Sequence, residues 1–441
     1  MLTVIHPARE WRLRRDQSVL DQGQVDIGKF HTGIGSLDLL RAMRSSRQRQ
    51  RPLALNLQWP AGLVADDYLD ALEQEIHLVG CHVGGRQPVD QFHLGGATPA
   101  MADLQRLMAH LRSRLHFLEH DQGDYSLDLD PLHTDWATMG RLRELGFNHI
   151  NIGVSDASSD VTPSVAGYQD PAPIQSLIDA ARTLGFSSVN VDLGYGHAWQ
   201  TCDSFAAKLA SLIALEPDRL QVFDYAQAPR RYQQQRARAL SSNADKCAMR
   251  AIAFQHLEAA GYHYIGLGQF VRPDDDLALA QEHGRLSRNC QGFTRHGYCD
   301  HIGFGLGAIS QLDNLYAQNT DDLARYRQQL DSDLLPTARG WRCEAGDQIR
   351  QHVMERLACD LELDIQALER RYGVIFSRYF SAIWPLLEHL HQDGLIDLSE
   401  RFLCVLPAGR QRVEALCALF DRAGSAVPPC SNDETIDHES V

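Results

Sequence analysis

The chain has 441 residues, and its 42 Lys and Arg against 57 Asp and Glu give a formal net charge of −15. A chain this acidic is a poor general binder of nucleic acid or of an anionic membrane, so neither partner is expected. Ten scattered cysteines without a CxxC or CxxxC pair, and no apolar run long enough for a membrane span, predict a cytoplasmic protein with reduced thiols.

The first 50 residues are polar and rich in Arg and Gln, and we predict an N-terminal arm over 1–50 with one short helix at 36–43. Five arginines precede the first strand: Arg41, Arg44, Arg47, Arg49 and Arg51. We interpret them as a solvated face. The alternative is a guanidinium cluster that pairs with the carboxylates of a ligand.

Strand and helix patterns alternate from residue 51 onward. The first unit, residues 51–76, contains the buried strand LALNLQW, a short turn and an amphipathic helix. Five further strands are indicated by VDQFHL, YSLDLD, NHINIGVSD, SSVNVDLGYG and DRLQVFDYA. Strands that alternate with helices at this spacing predict an α/β fold with a parallel sheet, closed or partly closed as a barrel.

The pattern changes at about residue 320, where long amphipathic helices begin and lead to LIDLSERFLCVLPAGRQRVEALCALF. A helical unit that ends in a β-wing and a helix predicts a winged-helix-like domain over 320–424. Because the chain is acidic, we interpret it as a structural lid and not as a DNA-binding module. The acidic tail, 425–441, is predicted to be disordered.

Polar residues occur at four predicted strand ends: GGATP (95–99), Asp128 with Asp130, NIGVSD (151–156), and Asn190 with Asp192. Each is weak evidence alone, since a Gly-Gly pair is often a turn and a strand-end Asp is often a helix cap. The carboxyl ends of parallel strands converge at one edge of a sheet. Together the four therefore predict a small-molecule pocket.

An ordered set of motifs carries a more specific signal: VDQFHLGGATP, SLDLDP, GFNHINIGVSD, GFSSVNVDLGYG, EPDRLQVFDYA, RPDDDLALAQ, NCQGF, GFGLGAIS and YAQN. This order resembles the oxygen-independent coproporphyrinogen III oxidase family of radical S-adenosylmethionine (SAM) enzymes, from about residue 51 to near 424. The resemblance implies a partial (β/α)6 TIM-like barrel over 51–319. It also implies SAM and a [4Fe-4S] cluster on three cysteines of a CxxxCxxC loop after the first strand.

That loop is deleted here. The family's first strand matches 55–62, with Gly62 at the first cysteine position, Asn56 at the tyrosine and Gln58 at the histidine. Ala97 replaces the third glycine of the SAM-binding triplet, and His149 replaces a usual Arg. On this basis a [4Fe-4S] cluster is not expected and no metal site is predicted, while SAM and haem both stay open as ligands, with SAM less favoured.

Two sets of site residues follow from the resemblance. The first is a vestigial SAM pocket: Gly95, Gly96, Thr98, Asp128 and Asp192. The second is the tetrapyrrole end of the site: Arg272, Asn289 and Gln291. Arg272 could pair with a propionate, and the structural alternative is an ion pair with Asp274 or Asp276.

The segment RHGYCDH, with Cys290 nearby, places His296, Cys299 and His301 in one loop. These side chains could serve haem iron or zinc. Their spacing matches no established metal motif, so we interpret them as ordinary loop residues.

Three functional hypotheses remain. The leading one is a non-catalytic family member that binds, delivers or regulates haem or porphyrin. The second is a true oxygen-independent coproporphyrinogen III dehydrogenase in anaerobic haem synthesis. The third is a structural subunit that pairs with an intact paralogue or another haem-synthesis enzyme.

Overall fold

The computed structural model describes residues 27–60, 65–119, 121–154, 171–227, 241–289 and 292–422. Its main sheet begins with seven strands: β1 (Leu53–Trp59), β2 (Pro88–Gly96), β3 (His116–Phe117), β4 (Asp124–Leu129), β5 (His149–Val154), β6 (Ser188–Tyr195) and β7 (Arg219–Asp224). The connecting helices are α1 (Ser36–Arg49), α2 (Ala65–His82), α3 (Met101–Arg114), α4 (Trp136–Glu144), α5 (Ala172–Thr183) and α6 (Cys202–Ile213). The six strands indicated by the sequence are thus β1, β2, β4, β5, β6 and β7.

Further elements extend this sheet at both edges. The added strands are β8 (His263–Gly266), β9 (Gln269–Val271), β12 (Asp300–Phe304), β13 (Ile309–Leu312), β14 (Leu315–Asn319) and β15 (Thr337–Arg342). The helices of this part are α7 (Asn243–Ala259), α8 (Asp276–Glu282) and α9 (Leu323–Asp331). A separate hairpin of β10 (Ser287–Asn289) and β11 (Gly292–Thr294) lies between α8 and β12 in the chain. The strand order is β15-β14-β13-β12-β1-β2-β4-β5-β6-β7-β9-β8, with β3 beside β2. Strands from β12 to β7 in this order are parallel, and the outer ones are antiparallel.

The two faces of the parallel strands differ in chemistry because successive side chains point to opposite faces. One face carries apolar residues, such as Leu57, Leu94, Leu127, Ile150 and Val189 in neighbouring register. These residues are at most 2% exposed and belong to the main core with the apolar sides of the helices. Burial of each such side chain contributes roughly 1.5–3 kcal/mol.

A second core lies in the C-terminal unit. It contains α10 (Ala345–Asp360), β16 (Glu362–Asp364), α11 (Ile365–Tyr372), α12 (Phe376–Tyr379), α13 (Trp384–Gln392), β17 (Ile396–Leu398), β18 (Phe402–Val405) and α14 (Val413–Arg422). The strands form a separate sheet in the order β16-β18-β17. The helices pack round Phe376, Phe380 and Phe420. The sequence prediction of a mainly helical unit ending in a β-hairpin and a helix matches this arrangement.

The predicted domain limits remain predictions, and the structure adds two facts about them. Helix α1 buries Leu39 and Met43 in the main core, although it falls within the predicted N-terminal arm. Residues that follow 320 still belong to the main sheet, because β15 pairs with β14 and Tyr326 of α9 lies in the main core. The second core begins at Ile349. No helix among the described residues is long and apolar enough to cross a membrane.

Candidate functional site

The second face of the parallel strands is polar. We call the following residues the polar face: Asn56 and Gln58 of β1, Gln91 and His93 of β2, Asp124, Ser126 and Asp128 of β4, His149 and Asn151 of β5, Ser188, Asn190 and Asp192 of β6, and Gln269 of β9. Several are buried: Asn56 is 8% exposed, Asn190 7% and Asp192 1%. Burial of so many polar groups costs free energy unless they find partners, so this face is selected for something other than packing.

Asp128 joins three of the predicted pocket residues at the carboxyl ends of β2 and β4. The Gly96 N–H donates to Asp128 Oδ2 at 3.3 Å, and the Thr98 hydroxyl donates to the Asp128 carbonyl at 3.4 Å. Asn151 Nδ2 donates to Asp128 Oδ1 at 3.1 Å, and His93 Nε2 lies 3.8 Å from the same oxygen. The structure therefore brings Gly96, Thr98 and Asp128 together, and their role in binding stays a prediction.

The glycine pair before Thr98 passes close to β1. Gly96 has a φ of +93°, and a Cβ there would lie 2.3 Å from the Trp59 carbonyl oxygen. A Cβ on Gly95 would lie 2.5 Å from Gln58 Nε2. Only glycine combines this backbone angle with this approach. Glycine at position 96 is therefore required by the fold, whatever the turn binds, whereas at position 95 the flexible Gln58 side chain could move aside.

Asp192 lies further along the polar face. Asn190 Nδ2 donates to Asp192 Oδ1 at 2.7 Å, and Gln269 Nε2 donates to Asn190 Oδ1 at 3.2 Å. Strand register connects this chain to the Asp128 group, because Asn190 pairs with Asn151. Asp192 and Asp128 therefore lie on one continuous surface.

Two buried polar atoms of the polar face have no hydrogen-bond partner among the described residues. They are Asn56 Oδ1 and His149 Nδ1. The other ring nitrogen of His149, Nε2, lies 3.4 Å from Asp124 Oδ1. A carboxylate beside one imidazole nitrogen orients the ring and leaves the second nitrogen for a ligand.

Another histidine, His301 of β12, lies beside these strands and is 3% exposed. Burial, together with the neighbouring His93, lowers the pKa of His301 to about 4. Its imidazole is therefore neutral near pH 7. Neutral imidazole is the form that binds metals such as haem iron.

Asp124 occupies the amino end of β4 and holds the most charged network of the polar face. Arg295 donates to both carboxylate oxygens, at 2.9 and 2.7 Å, and His296 Nε2 lies 2.7 Å from Oδ2. Burial raises the pKa of Asp124, but the hydrogen bonds from His149, His296 and Arg295 outweigh it and hold that pKa well below the usual range. Sequence reasoning missed Asp124, although its alternation with Ser126 and Asp128 already places it on the same face.

Glu75 is a second carboxylate that the sequence reasoning missed. It lies in α2 and accepts from Gly305 N at 2.8 Å, Asn319 Nδ2 at 2.6 Å and the Tyr326 hydroxyl at 2.7 Å. Burial raises its pKa to about 7, although all three donors favour the ionised form. An acidic residue on the apolar stripe of α2, between Leu72 and Ile76, is the signal that could have found it.

The residues predicted for the tetrapyrrole end lie elsewhere. The Arg272 guanidinium pairs with Asp274 at 3.6 Å, and the Arg272 backbone N–H donates to the Asp218 carbonyl, just before β7 begins. Asn289 Nδ2 donates to Gln91 Oε1 at 3.1 Å, near the amino end of β2. Gln291 lies outside the described residues, as do Ser155 and Asp156. The structure does not bring Arg272 or Asn289 to the Gly96–Asp128 edge, and their substrate role stays a prediction.

Parallel α/β sheets commonly bind small molecules at the carboxyl ends of their strands, where several residues of this polar face lie. Comparison with known proteins makes the class specific. Residues 344–412 match the family model of the HemN C-terminal domain. Oxygen-independent coproporphyrinogen III oxidase of Pseudomonas aeruginosa is 42% identical over 417 residues, covering 89% of this chain and 91% of that protein. The protein of the same name from Escherichia coli K12 is 39% identical over 363 residues, covering 81% of this chain and 79% of that protein.

A solved structure agrees. The chain matches the Escherichia coli structure titled "Coproporphyrinogen III oxidase (HemN) from Escherichia coli is a Radical SAM enzyme" with a TM-score of 0.82 and 35% identity, over 91% of this chain and 96% of that one. The predicted radical SAM fold with a C-terminal helical unit is therefore confirmed. The chain belongs to the oxygen-independent coproporphyrinogen III oxidase family of haem biosynthesis.

These relatives correct one prediction. We expected no [4Fe-4S] cluster in this chain and regarded SAM as the less favoured ligand. This expectation is wrong, because the solved relative is described as a radical SAM enzyme, and such enzymes use SAM with an iron–sulfur cluster. That expectation relied on the length of a single loop, whereas the similarity covers most of the chain.

The described residues do not supply a cluster's ligands by themselves. The first cysteine of the chain is Cys81, well past the β1–α2 turn, and residues 61–64 of that turn lie outside the described residues. Among the described residues, the one group of three potential ligands includes a single cysteine. A [4Fe-4S] cluster of this class needs three thiolates, which the described residues do not bring together.

Proposed function

We propose that the chain binds a tetrapyrrole of haem biosynthesis, haem or a coproporphyrinogen-like porphyrin, on the polar face, and acts by binding, delivery or regulation. The observation that carries this proposal is the pair of buried atoms without partners, Asn56 Oδ1 and His149 Nδ1. Leaving such an atom unpaired costs roughly 1–3 kcal/mol, and a ligand that reaches it recovers that free energy.

The chemistry of the face suits this ligand class. A tetrapyrrole offers pyrrole N–H donors or a central iron. Oxygen acceptors such as Asn56 Oδ1 and Asp128 complement the donors, while His149 Nδ1 complements iron. In this proposal Gly95, Gly96, Thr98, Asp128 and Asp192 line the pocket, and the protein works in the cytoplasm.

Titration with haemin and with coproporphyrin tests the proposal on the full chain. We expect a shift of the Soret band and quenching of tryptophan fluorescence that saturate near one ligand per chain. If neither ligand changes either signal, tetrapyrrole binding is excluded. Co-purification of an intact paralogue with such an unresponsive chain would favour the structural-subunit hypothesis instead.

The identity of 42% to a curated oxidase specifically favours a second candidate, oxidative decarboxylation of coproporphyrinogen III. Anaerobic purification followed by reconstitution with iron and sulfide tests it. Formation of 5′-deoxyadenosine from SAM together with loss of coproporphyrinogen would establish catalysis and overturn the binding-only proposal. Tetrapyrrole binding without deoxyadenosine would support the first proposal.

A further inference from the structure

A group of potential metal ligands lies at the amino ends of the parallel strands. Asp90 follows the start of β2, and His296 and Cys299 belong to the loop between β11 and β12. One ligand atom from each of the three lies within 4.8 Å of the others. It is the one such group of three His, Cys, Asp or Glu side chains found in the described part of the chain.

The orientation of His296 is fixed for ligation. Its Nε2 lies 2.7 Å from Asp124 Oδ2, and its side chain is 6% exposed. The other nitrogen, Nδ1, lies 3.2 Å from the Tyr298 hydroxyl. Metal-bound histidines commonly donate their second ring N–H to a carboxylate, which holds the ring in place and raises its basicity. Asp124 provides that carboxylate.

Asp90 converges on the same point. Tyr298 is 53% exposed, and its hydroxyl donates to Asp90 Oδ2 at 2.9 Å, so a single oxygen contacts both His296 Nδ1 and the Asp90 carboxylate. Within the described residues, Asp90 forms no ion pair, whereas Asp124 is neutralised by Arg295 and Asp300 by Arg51. A cation at this point would meet a carboxylate that still lacks a positive partner.

The donor set indicates the metal. One thiolate sulfur, one imidazole nitrogen and one carboxylate oxygen are ligands of zinc, at distances of roughly 2.0–2.3 Å. In a tetrahedral site, ligand atoms at such distances lie about 3.3–3.8 Å apart, within the observed limit. We propose that Asp90, His296 and Cys299 bind a zinc ion, with water as the fourth ligand.

This site is separate from the predicted pocket. Asp90 lies near the start of β2 and Cys299 directly before β12, whereas Gly96 and Asp128 lie where β2 and β4 end. One cysteine cannot hold an iron–sulfur cluster of three thiolates. Asp124 contacts both His296 and His149, so the test of the zinc site uses substitutions at Asp90 and Cys299, which have no part in the proposed tetrapyrrole pocket.

Cobalt(II) replaces zinc as the spectroscopic probe. Titration of the metal-free full chain with Co²⁺ should produce an intense near-ultraviolet thiolate-to-cobalt band at one Co²⁺ per chain, and added Zn²⁺ should abolish it. The Cys299→Ser variant should lose the band, and the Asp90→Asn variant should bind Co²⁺ at least tenfold more weakly.

Cys81→Ser is the matched control, because Cys81 is also a free cysteine but is exposed on α2. It should keep the full band. Circular dichroism of each variant without metal shows whether it is folded. The proposal is overturned if the wild type gives no thiolate band, or if Cys299→Ser folds and retains it.

Discussion

The two ends of the same parallel strands hold carboxylates in opposite ways. At the amino end, Asp124 receives two hydrogen bonds from Arg295, and cationic or polar donors hold its pKa well below the usual range. Near the carboxyl end of β12, Glu75 receives only neutral donors, and burial raises its pKa to about 7. The charge of Asp124 is thus compensated by a cationic side chain, whereas the three donors to Glu75 carry no charge.

This difference separates stabilising from binding groups. A carboxylate satisfied by a guanidinium has little left to offer a ligand, whereas buried groups held by amides or left without partners gain from one. Asp128 and Asp192 receive amide donors from Asn151 and Asn190, and they share a face with the unpartnered His149 Nδ1. We therefore assign a mainly stabilising role to the Asp124–Arg295 pair, and we propose tetrapyrrole binding for the groups of the polar face that amides hold or that lack a partner.

A pair of substitutions on β4 tests this difference with the largest expected effect. Asp124→Asn should lower the free energy of unfolding by about 3 kcal/mol, because Arg295 loses its paired carboxylate. Asp128→Asn, four residues along the same face, should cost less than about 1 kcal/mol, because an amide oxygen still accepts from the Gly96 N–H. Urea denaturation measures both.

Equal costs for the two variants would contradict the division of roles. Urea m-values equal to that of the wild type would show that the midpoint differences of the two variants report stability.

Glu75 gives a pH-dependent test. Its folded pKa of about 7 lies above the ordinary glutamate value of 4.5, so its contribution to stability is complete below pH 4.5 and is lost as the pH rises through 7. Glu75→Gln does not titrate. Between pH 4.5 and 8 the wild type should therefore lose about 3 kcal/mol of unfolding free energy relative to this variant.

Denaturation of both proteins across this pH range measures the difference. Parallel stability profiles would show that Glu75 titrates normally, and would remove the contrast with Asp124.

A smaller effect tests the Gly-Gly turn. Both Gly96 and Gly185 have positive φ angles, +93° and +73°, but a Cβ would meet the Trp59 carbonyl at Gly96 and open space at Gly185. Gly96→Ala should therefore destabilise the fold by about 1 kcal/mol more than Gly185→Ala. Thermal unfolding of the two variants gives this difference. If the two costs are the same, the close approach to β1 is not a constraint.

The parallel core could be predicted because its information is local. Alternation in YSLDLD and the helical repeat in 65–76 determine which side chains face the core. The antiparallel strands β13 to β15 and the packing of α9 were not predicted, because they depend on contacts between distant segments such as Leu315 with Arg342.

The site was predicted only in part for the same reason. Gly96, Thr98 and Asp128 follow strand ends and could be found from sequence. His149 Nδ1 and the Asp124 network could not be found in this way. They depend on strand register and on a distant loop, since Asp124 and Arg295 are 171 residues apart in sequence. The error over the cluster came from relying on one loop.

The most direct test of the central claim is the haemin affinity of two histidine variants. His149→Ala removes a buried nitrogen of the polar face, and His133→Ala removes an exposed histidine that pairs with Asp130. We predict that the haemin dissociation constant, from Soret titration, rises about tenfold, or about 1.4 kcal/mol, for His149→Ala and is unchanged for His133→Ala. Wild-type affinity in a folded His149→Ala variant would contradict the assignment of the polar face as the tetrapyrrole site.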